Sequence, residues 1–153
     1  MNHRQKSVIF LATGFYVGKI PFAPGTFGSI IGLPLCFFLS KIELPIAVLC
    51  TLVFILIAIL IAHDAEKILN KNDPGCIVID EIAGIIVTLL GMPFNLITVA
   101  TGFFIFRIMD IFKPFPIRVL EKRLTGGTGI VFDDVAAGIF GNLALRAMLL
   151  LIS

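Results

Sequence analysis

The sequence predicts an all-α fold: an integral-membrane helical bundle of about five apolar helices, preceded by a short N-terminal interfacial or re-entrant segment. Three observations predict it. Hydrophobic residues make up 58% of the 153-residue chain and charged residues only 14%, where a soluble domain carries about 25% charged residues. Mean hydropathy is +1.07. Leu44 to Ala62 runs 19 residues without a charge, close to the ~20 that a spanning helix needs. The length suits a single domain over residues 1–153.

The same composition excludes several function classes. A net charge of +2 is too small to point to nucleic acid, and no basic run carries interleaved aromatics. Cys36, Cys50 and Cys76 lie in or beside apolar segments and read as small hydrophobes, not as a disulfide framework. None is followed by Arg six positions later, so a thiol phosphatase loop is absent. There is no Asp-x-Asp pair for an aspartyl-phosphate phosphatase. His3 and His63 are the only histidines, which argues against a catalytic histidine pair. No Gly-x-x-x-x-Gly-Lys-[Ser/Thr] loop is present, so nucleotide hydrolysis has no support.

The elements follow in order. His3, Arg4 and Lys6 precede an apolar stretch, Val8 to Val17, shaped like a short signal sequence. No small-x-small cleavage site follows, so the stretch reads as retained. Thr26 to Leu39 is apolar and contains Gly28, Gly32 and Pro34; Lys41 and Glu43 end it. Leu44 to Ala62 is the clearest span, with His63, Asp64, Glu66, Lys67 and Lys71 as its polar exit and a turn at Asp73-Pro74-Gly75. The next apolar region splits at Met92-Pro93-Phe94-Asn95 into Ile77–Gly91 and Phe94–Phe112, with Pro93 near the first position of the second helix. The first of these, at 1.5 Å per residue, reaches only ~22 Å. Lys113 to Gly129 is a polar connection. Ile130 to Ile152 is a final long helix, with Asp133-Asp134 near its start and Arg146 near its end.

Basic residues orient the chain. Arg4, Lys6 and Lys19, then Lys67 and Lys71, then Lys113, Arg118, Lys122 and Arg123 all fall on one face if five helices alternate. That face is expected to be cytoplasmic, in a multi-pass protein of the bacterial inner membrane. The Gly25–Ser29 loop, Asp80-Glu81, Arg107 with Asp110 and Lys113, and Asp133-Asp134 then converge there. Gly75–Gly84 and Gly129–Gly138 echo each other: a glycine, a short apolar run, two acids, a small residue and a glycine. The echo reads either as a duplicated site element or as chance in a low-diversity apolar chain.

Charges in membrane helices cost about 2.5–3.5 kcal/mol each on insertion scales and persist when paired, metal-bound or facing a wet cavity. Asp80, Glu81, Asp133 and Asp134 place four carboxylates at two expected helix starts. A helix N-terminus favours such charge, and a hard divalent cation such as Mg²⁺ favours it more strongly. The competing reading is plain charging of a helix start at headgroup level. Arg107 and Asp110 share a helix face at a spacing of three. They read either as an ordinary ion pair or, with Lys113, as a phosphate-binding group in which Asp110 orients Arg107 or ligates metal. Pro24-Gly25-Thr26-Phe27-Gly28-Ser29 opens a helix with free N–H groups and the hydroxyls of Thr26 and Ser29, a weak anion-binding signal on its own. Gly28 with Gly32, Gly84 with Thr88, and Asp134 with Gly138 and Asn142 follow small-residue helix-packing spacing.

Pro24–Ser29, then Asp73-Pro74-Gly75-x-x-Val78-Ile79-Asp80-Glu81-x-x-Gly84, then Phe106-Arg107-x-x-Asp110-x-x-Lys113-Pro114-x-Pro116-Ile117, then Gly126-Gly127-x-Gly129-Ile130-x-x-Asp133-Asp134-x-x-Ala137-Gly138 together resemble the phosphatidylglycerophosphatase A family in order and spacing. The match covers nearly the whole chain. It departs at Thr125, where many relatives carry His. The resemblance implies Mg²⁺-dependent hydrolysis of the terminal phosphomonoester of a membrane phospholipid, phosphatidylglycerophosphate. Asp80, Glu81, Asp133 and Asp134 are then the expected metal ligands, with Asp110 a further catalytic candidate. Arg107, Lys113, Thr26 and Ser29 are the expected contacts to substrate phosphate. No nucleic acid or nucleotide partner is expected. A small divalent-cation transporter is the competing reading, since intramembrane carboxylates and broken helices fit it too; a non-catalytic scaffold would not need four acids beside apolar runs.

Overall fold

A computed structural model describes residues 1–152. Among them there are seven α-helices and no strand: α1 (His3–Ala12), α2 (Pro24–Leu39), α3 (Leu44–Leu69), α4 (Ile79–Leu89), α5 (Leu96–Phe112), α6 (Ile117–Arg123) and α7 (Gly126–Ile152), with a short 3-10 turn at Val17–Lys19.

The helix boundaries follow local chemistry. Asn2 caps α1: its side chain accepts from the Gln5 N–H at 2.8 Å, and Gln5 Oε1 accepts from the Asn2 N–H at 3.0 Å. The apolar stretch Val8–Val17 is therefore not one element. α1 ends at Ala12, and Gly14, Phe15 and Tyr16 all take positive φ to reverse the chain. Asn95 caps α5 through the Thr98 N–H at 2.9 Å. Pro93 thus sits in the preceding turn rather than at the first helical position. The connection read as polar loop contains α6, and α7 begins at Gly126, four residues earlier than the hydropathy break suggested. Asp133 and Asp134 consequently lie about two turns inside α7, so the N-terminal dipole does not account for them.

α4 is the axis of the bundle. Ten of its eleven residues are buried, enclosed by α2, α3, α5 and α7. At ~16 Å it is too short to cross a bilayer, and protein rather than lipid surrounds it. Close approach depends on small residues. Gly28 and Gly32 of α2 lie on Val78 and Ile85, where an added Cβ would come within 2.7 and 2.5 Å. A Cβ on Gly138 would meet the Gly84 carbonyl at 2.5 Å, and one on Gly84 would meet the Asp134 carbonyl at 3.0 Å. The two glycines of the sequence echo thus face each other across the α4–α7 crossing.

α3 shows the opposite pattern. Its buried face is Ala47, Thr51, Ala58, Ala62 and Ala65, and its outer face exposes Leu49, Leu52, Leu56 and Leu60. Only 22% of its most apolar window is buried, at a mean hydropathy of 3.1. A soluble core helix would hide such a face; lipid would cover it. Two helices, α3 and α7, are long and apolar enough to cross a membrane. α2 is apolar but shorter. The expectation of about five apolar helices therefore reduces to two of spanning length, with α4 shielded at their centre.

Candidate active site

The chain alternates direction so that the starts of α2, α4 and α7 and the ends of α3 and α5 share one end of the bundle. Contacts fix this arrangement: Gly25 lies on Glu81 and Arg107, Gly127 on Ile59 and His63, and Lys113 on Asp133. At the other end, Gly91 meets Leu44 and Arg146.

Asp80 and Glu81 occupy the first turn of α4. Asp134 reaches them from α7 across the Gly84–Gly138 contact. One ligand atom from each of Asp80, Glu81 and Asp134 lies within 4.8 Å of the others. Asp80 is 8% exposed and Asp134 3%. Asp80 Oδ1, Glu81 Oε2 and Asp134 Oδ2 are buried with no hydrogen-bond partner. Two buried carboxylates and the half-buried one of Glu81 at this separation repel unless a cation or protons intervene, and their free oxygens suit a hard oxygen-seeking ion such as Mg²⁺. The residues present therefore fit the metal expected from the sequence.

Cations line the cluster on two sides. Arg107 Nη1 donates to Asp110 Oδ2 at 2.6 Å, while Arg107 Nε is buried without a partner. Lys113, capping α5 with φ 44°, donates to Asp133 Oδ2 at 2.6 Å and to Glu121 Oε1 at 2.9 Å. Burial pulls the pKa of Lys113 down, but the hydrogen bonds to Asp133 and Glu121 outweigh it, so the ammonium is held above its ordinary range. Asp133 spends its other oxygen on the Asp134 N–H, at 3.0 Å. It therefore stands beside the three-carboxylate cluster as the partner of Lys113, not within the cluster.

The start of α2 closes the site. A Cβ at Gly25 would collide with Glu81 Oε1 and come within 3.1 Å of Arg107 Nη1, so any larger residue would push these two side-chain ends aside. Thr26 is half-buried beside it. Ser29 is fully buried, and its hydroxyl donates to the Gly25 carbonyl at 2.9 Å, which leaves it holding the first turn of α2 rather than facing outward.

A cleft of about 230 Å³ adjoins Asp133 and is lined by Glu66, Asn72, Asp73, Glu121 and Thr125 among others. Glu66 reads from the sequence as a solvated helix end, yet its Oε1 accepts from the Asp73 N–H at 3.1 Å and joins the turn to α3. Glu121 gave no sequence signal, because its role depends on α6 folding back to Lys113.

A family model described as Phosphatidylglycerophosphatase A matches residues 10–149. The chain is 38% identical over 130 residues to "Phosphatidylglycerophosphatase A" of Escherichia coli K12, covering 84% of this chain and 76% of the relative. It is 35% identical over 140 residues to the protein of the same name from Haemophilus influenzae, covering 90% and 86%. It is also 36% identical over 139 residues to a Bacteroides thetaiotaomicron protein named "Putative phosphatidylinositol-3-phosphatase", covering 86% and 87%. No solved structure matches the chain.

Proposed function

The chain belongs to the phosphatidylglycerophosphatase A family and is a phosphatase, and we propose that it is a Mg²⁺-dependent enzyme of the bacterial inner membrane that converts phosphatidylglycerophosphate to phosphatidylglycerol and phosphate in glycerophospholipid biosynthesis. Its site would open on the cytoplasmic face. The observation that carries the reading is the convergence of Asp80, Glu81 and Asp134, each with an unpartnered buried oxygen, beside Arg107 and Lys113 at one end of an apolar bundle.

Asp80, Glu81 and Asp134 would hold the metal, with Asp110 and Asp133 next to them. When bound, Mg²⁺ supplies Lewis-acid polarisation of the phosphoryl group and makes water a better nucleophile. The rest falls to the chain. Arg107, oriented by its 2.6 Å bond to Asp110, holds its guanidinium against Gly25 at the start of α2 and would neutralise phosphoryl oxygens. Lys113, held between Asp133 and Glu121, brings a second fixed charge. Gly25 presents its N–H at the α2 start, where an anion is favoured, with the Thr26 hydroxyl beside it, while the Thr26 N–H donates to the Ala23 carbonyl at 3.0 Å. Water adds to phosphorus, the P–O ester bond breaks, and the released glycerol oxygen takes a proton.

The test is phosphate release from phosphatidylglycerophosphate by the purified protein in detergent, with Mg²⁺ or with EDTA, beside Asp134→Asn. Phosphatidylinositol 3-phosphate serves as the competing substrate. Metal-dependent release from the first lipid, lost in a folded Asp134→Asn protein, supports the reading. A folded wild-type protein that releases no phosphate from it overturns the substrate assignment.

A further inference from the structure

Two openings flank the turn that joins α3 to α4, and they carry opposite charge. The cleft bordered by Asn72 and Asp73 has four carboxylates in its lining, from Glu66, Asp73, Glu121 and Asp133. On the other side of the turn lies an open groove of about 520 Å³, reached by Lys19 and Lys71 and containing no acidic residue in its lining. Neither lysine has a carboxylate within ion-pair distance among the described residues.

The groove is built rather than incidental. Lys19 ends the 3-10 turn and lies 4.6 Å from the centre of the Tyr16 ring. The turn itself is pinned: the Gly18 N–H donates to the Thr13 carbonyl at 2.8 Å, and the Val78 N–H donates to the Ala12 carbonyl at 2.9 Å. Gly18 packs directly on the Cys76 carbonyl, where no side chain fits. The floor reaches Pro24, and the next residue, Gly25, touches Glu81 and Arg107. One Cα step, ~3.8 Å, therefore links the groove to the reaction centre. Exposed Phe22 lies in the chain between Pro21 and Pro24 of the lining, and aromatic rings favour a membrane–water interface.

We propose that the Lys19–Lys71 groove is the subsite for the second phosphate of the substrate headgroup, the phosphodiester that stays with the lipid. The inference rests on the reading that the substrate is phosphatidylglycerophosphate, which carries one phosphomonoester and one phosphodiester joined by glycerol. The monoester belongs with Arg107 and the carboxylate cluster. The diester is an anion that the acidic cleft repels and the paired lysines attract. The charge difference between the two openings thus sets which way the headgroup lies. It also makes the site select a lipid with two phosphates over free phosphate.

The experiment compares wild type with Lys19→Ala/Lys71→Ala and with Lys19→Arg/Lys71→Arg, in neutral detergent micelles. Losing two charge-assisted phosphate contacts should raise KM for phosphatidylglycerophosphate by about tenfold while kcat stays within about twofold. Competitive inhibition by dihexanoyl phosphatidylglycerol, which has only the diester, should weaken by the same factor. Inhibition by orthophosphate should not change, and the arginine pair should restore wild-type values. An unchanged KM with unchanged phosphatidylglycerol inhibition overturns the subsite. So does a parallel loss for orthophosphate, which would mean only general attraction of anions. Calorimetric binding of dihexanoyl phosphatidylglycerol to the same proteins decides the groove separately from turnover, so a wild-type protein inactive on the proposed substrate would not mask the answer.

Discussion

Lys113 Nζ lies 2.6 Å from Asp133 Oδ2, and this bond separates two neighbouring aspartates that the sequence treats alike. Asp134 keeps a buried oxygen free toward Asp80 and Glu81, whereas Asp133 has both oxygens engaged. Asp134→Asn should weaken Mn²⁺ binding, read by electron paramagnetic resonance in detergent, by more than about tenfold, because a ligand oxygen is lost. Asp133→Asn should change it by less than about threefold and should instead raise KM, since Lys113 loses its anchor. Equal losses of metal affinity in the two variants would return Asp133 to the ligand set.

Without metal, the carboxylate cluster is a source of instability. Wild type should therefore gain thermal stability on adding Mg²⁺, by an amount that grows with concentration. Asp134→Asn should unfold a few degrees higher than wild type in EDTA, where ~1 kcal/mol corresponds to about 2–4 °C at this size. The same variant should show little further rise with Mg²⁺. A Tm of wild type indifferent to Mg²⁺ and EDTA would contradict the metal reading.

Gly25 sets how closely α2 approaches Glu81 and Arg107. Gly25→Ala places a methyl against Glu81 Oε1, and displaced catalytic groups lose rate steeply with distance. We expect kcat to fall by about tenfold or more, with Tm within a few degrees of wild type. Full activity in this variant would mean that the start of α2 takes no part in the site.

At the far end of α4, Asn142 Nδ2 lies 3.2, 2.9 and 2.9 Å from the carbonyls of Val87, Thr88 and Leu90, and Arg146 Nε donates to Asn142 Oδ1 at 2.9 Å. These part-buried bonds cap the end of α4, where the last carbonyls of a helix lack helical donors. Asn142→Leu should destabilise the fold by about 1–3 kcal/mol, measured as a lower Tm, while Mn²⁺ affinity per folded molecule is retained. A stable Asn142→Leu protein would show that the carbonyls find other partners.

Much of this was legible in the sequence because charge is rare here. Asp80, Glu81, Arg107, Asp110, Lys113, Asp133 and Asp134 stand out against apolar runs, and the structure gathers all of them at one end of the bundle. What hydropathy cannot distinguish is an apolar face turned to lipid from one turned to protein. Leu56 and Ile85 are equally greasy, yet Leu56 is 63% exposed and Ile85 fully buried. The short α4 therefore looked like a partial crossing when it is the centre. Glu121 escaped notice, and Glu66 read as a polar helix end, because their partners lie across folds in the chain, at Lys113 and at the Asp73 backbone. The hydroxyl of Ser29 shows what spacing leaves open: it bonds one helical turn back to Gly25, a choice open to any helical serine.

The alanine face of α3 and its leucine face meet different demands. A leucine on the outer face could be exchanged for isoleucine, valine or phenylalanine with little consequence, because fluid hydrocarbon adapts to shape. An alanine on the inner face is enclosed by protein, and a glycine at the α4–α7 crossing faces a fixed neighbour at contact distance, so neither has such latitude. Tolerance to substitution should therefore run radially in this protein, permissive at the rim and strict at the axis. The acids sit on the strict side, so drift in the lipid-facing shell leaves the reaction centre undisturbed.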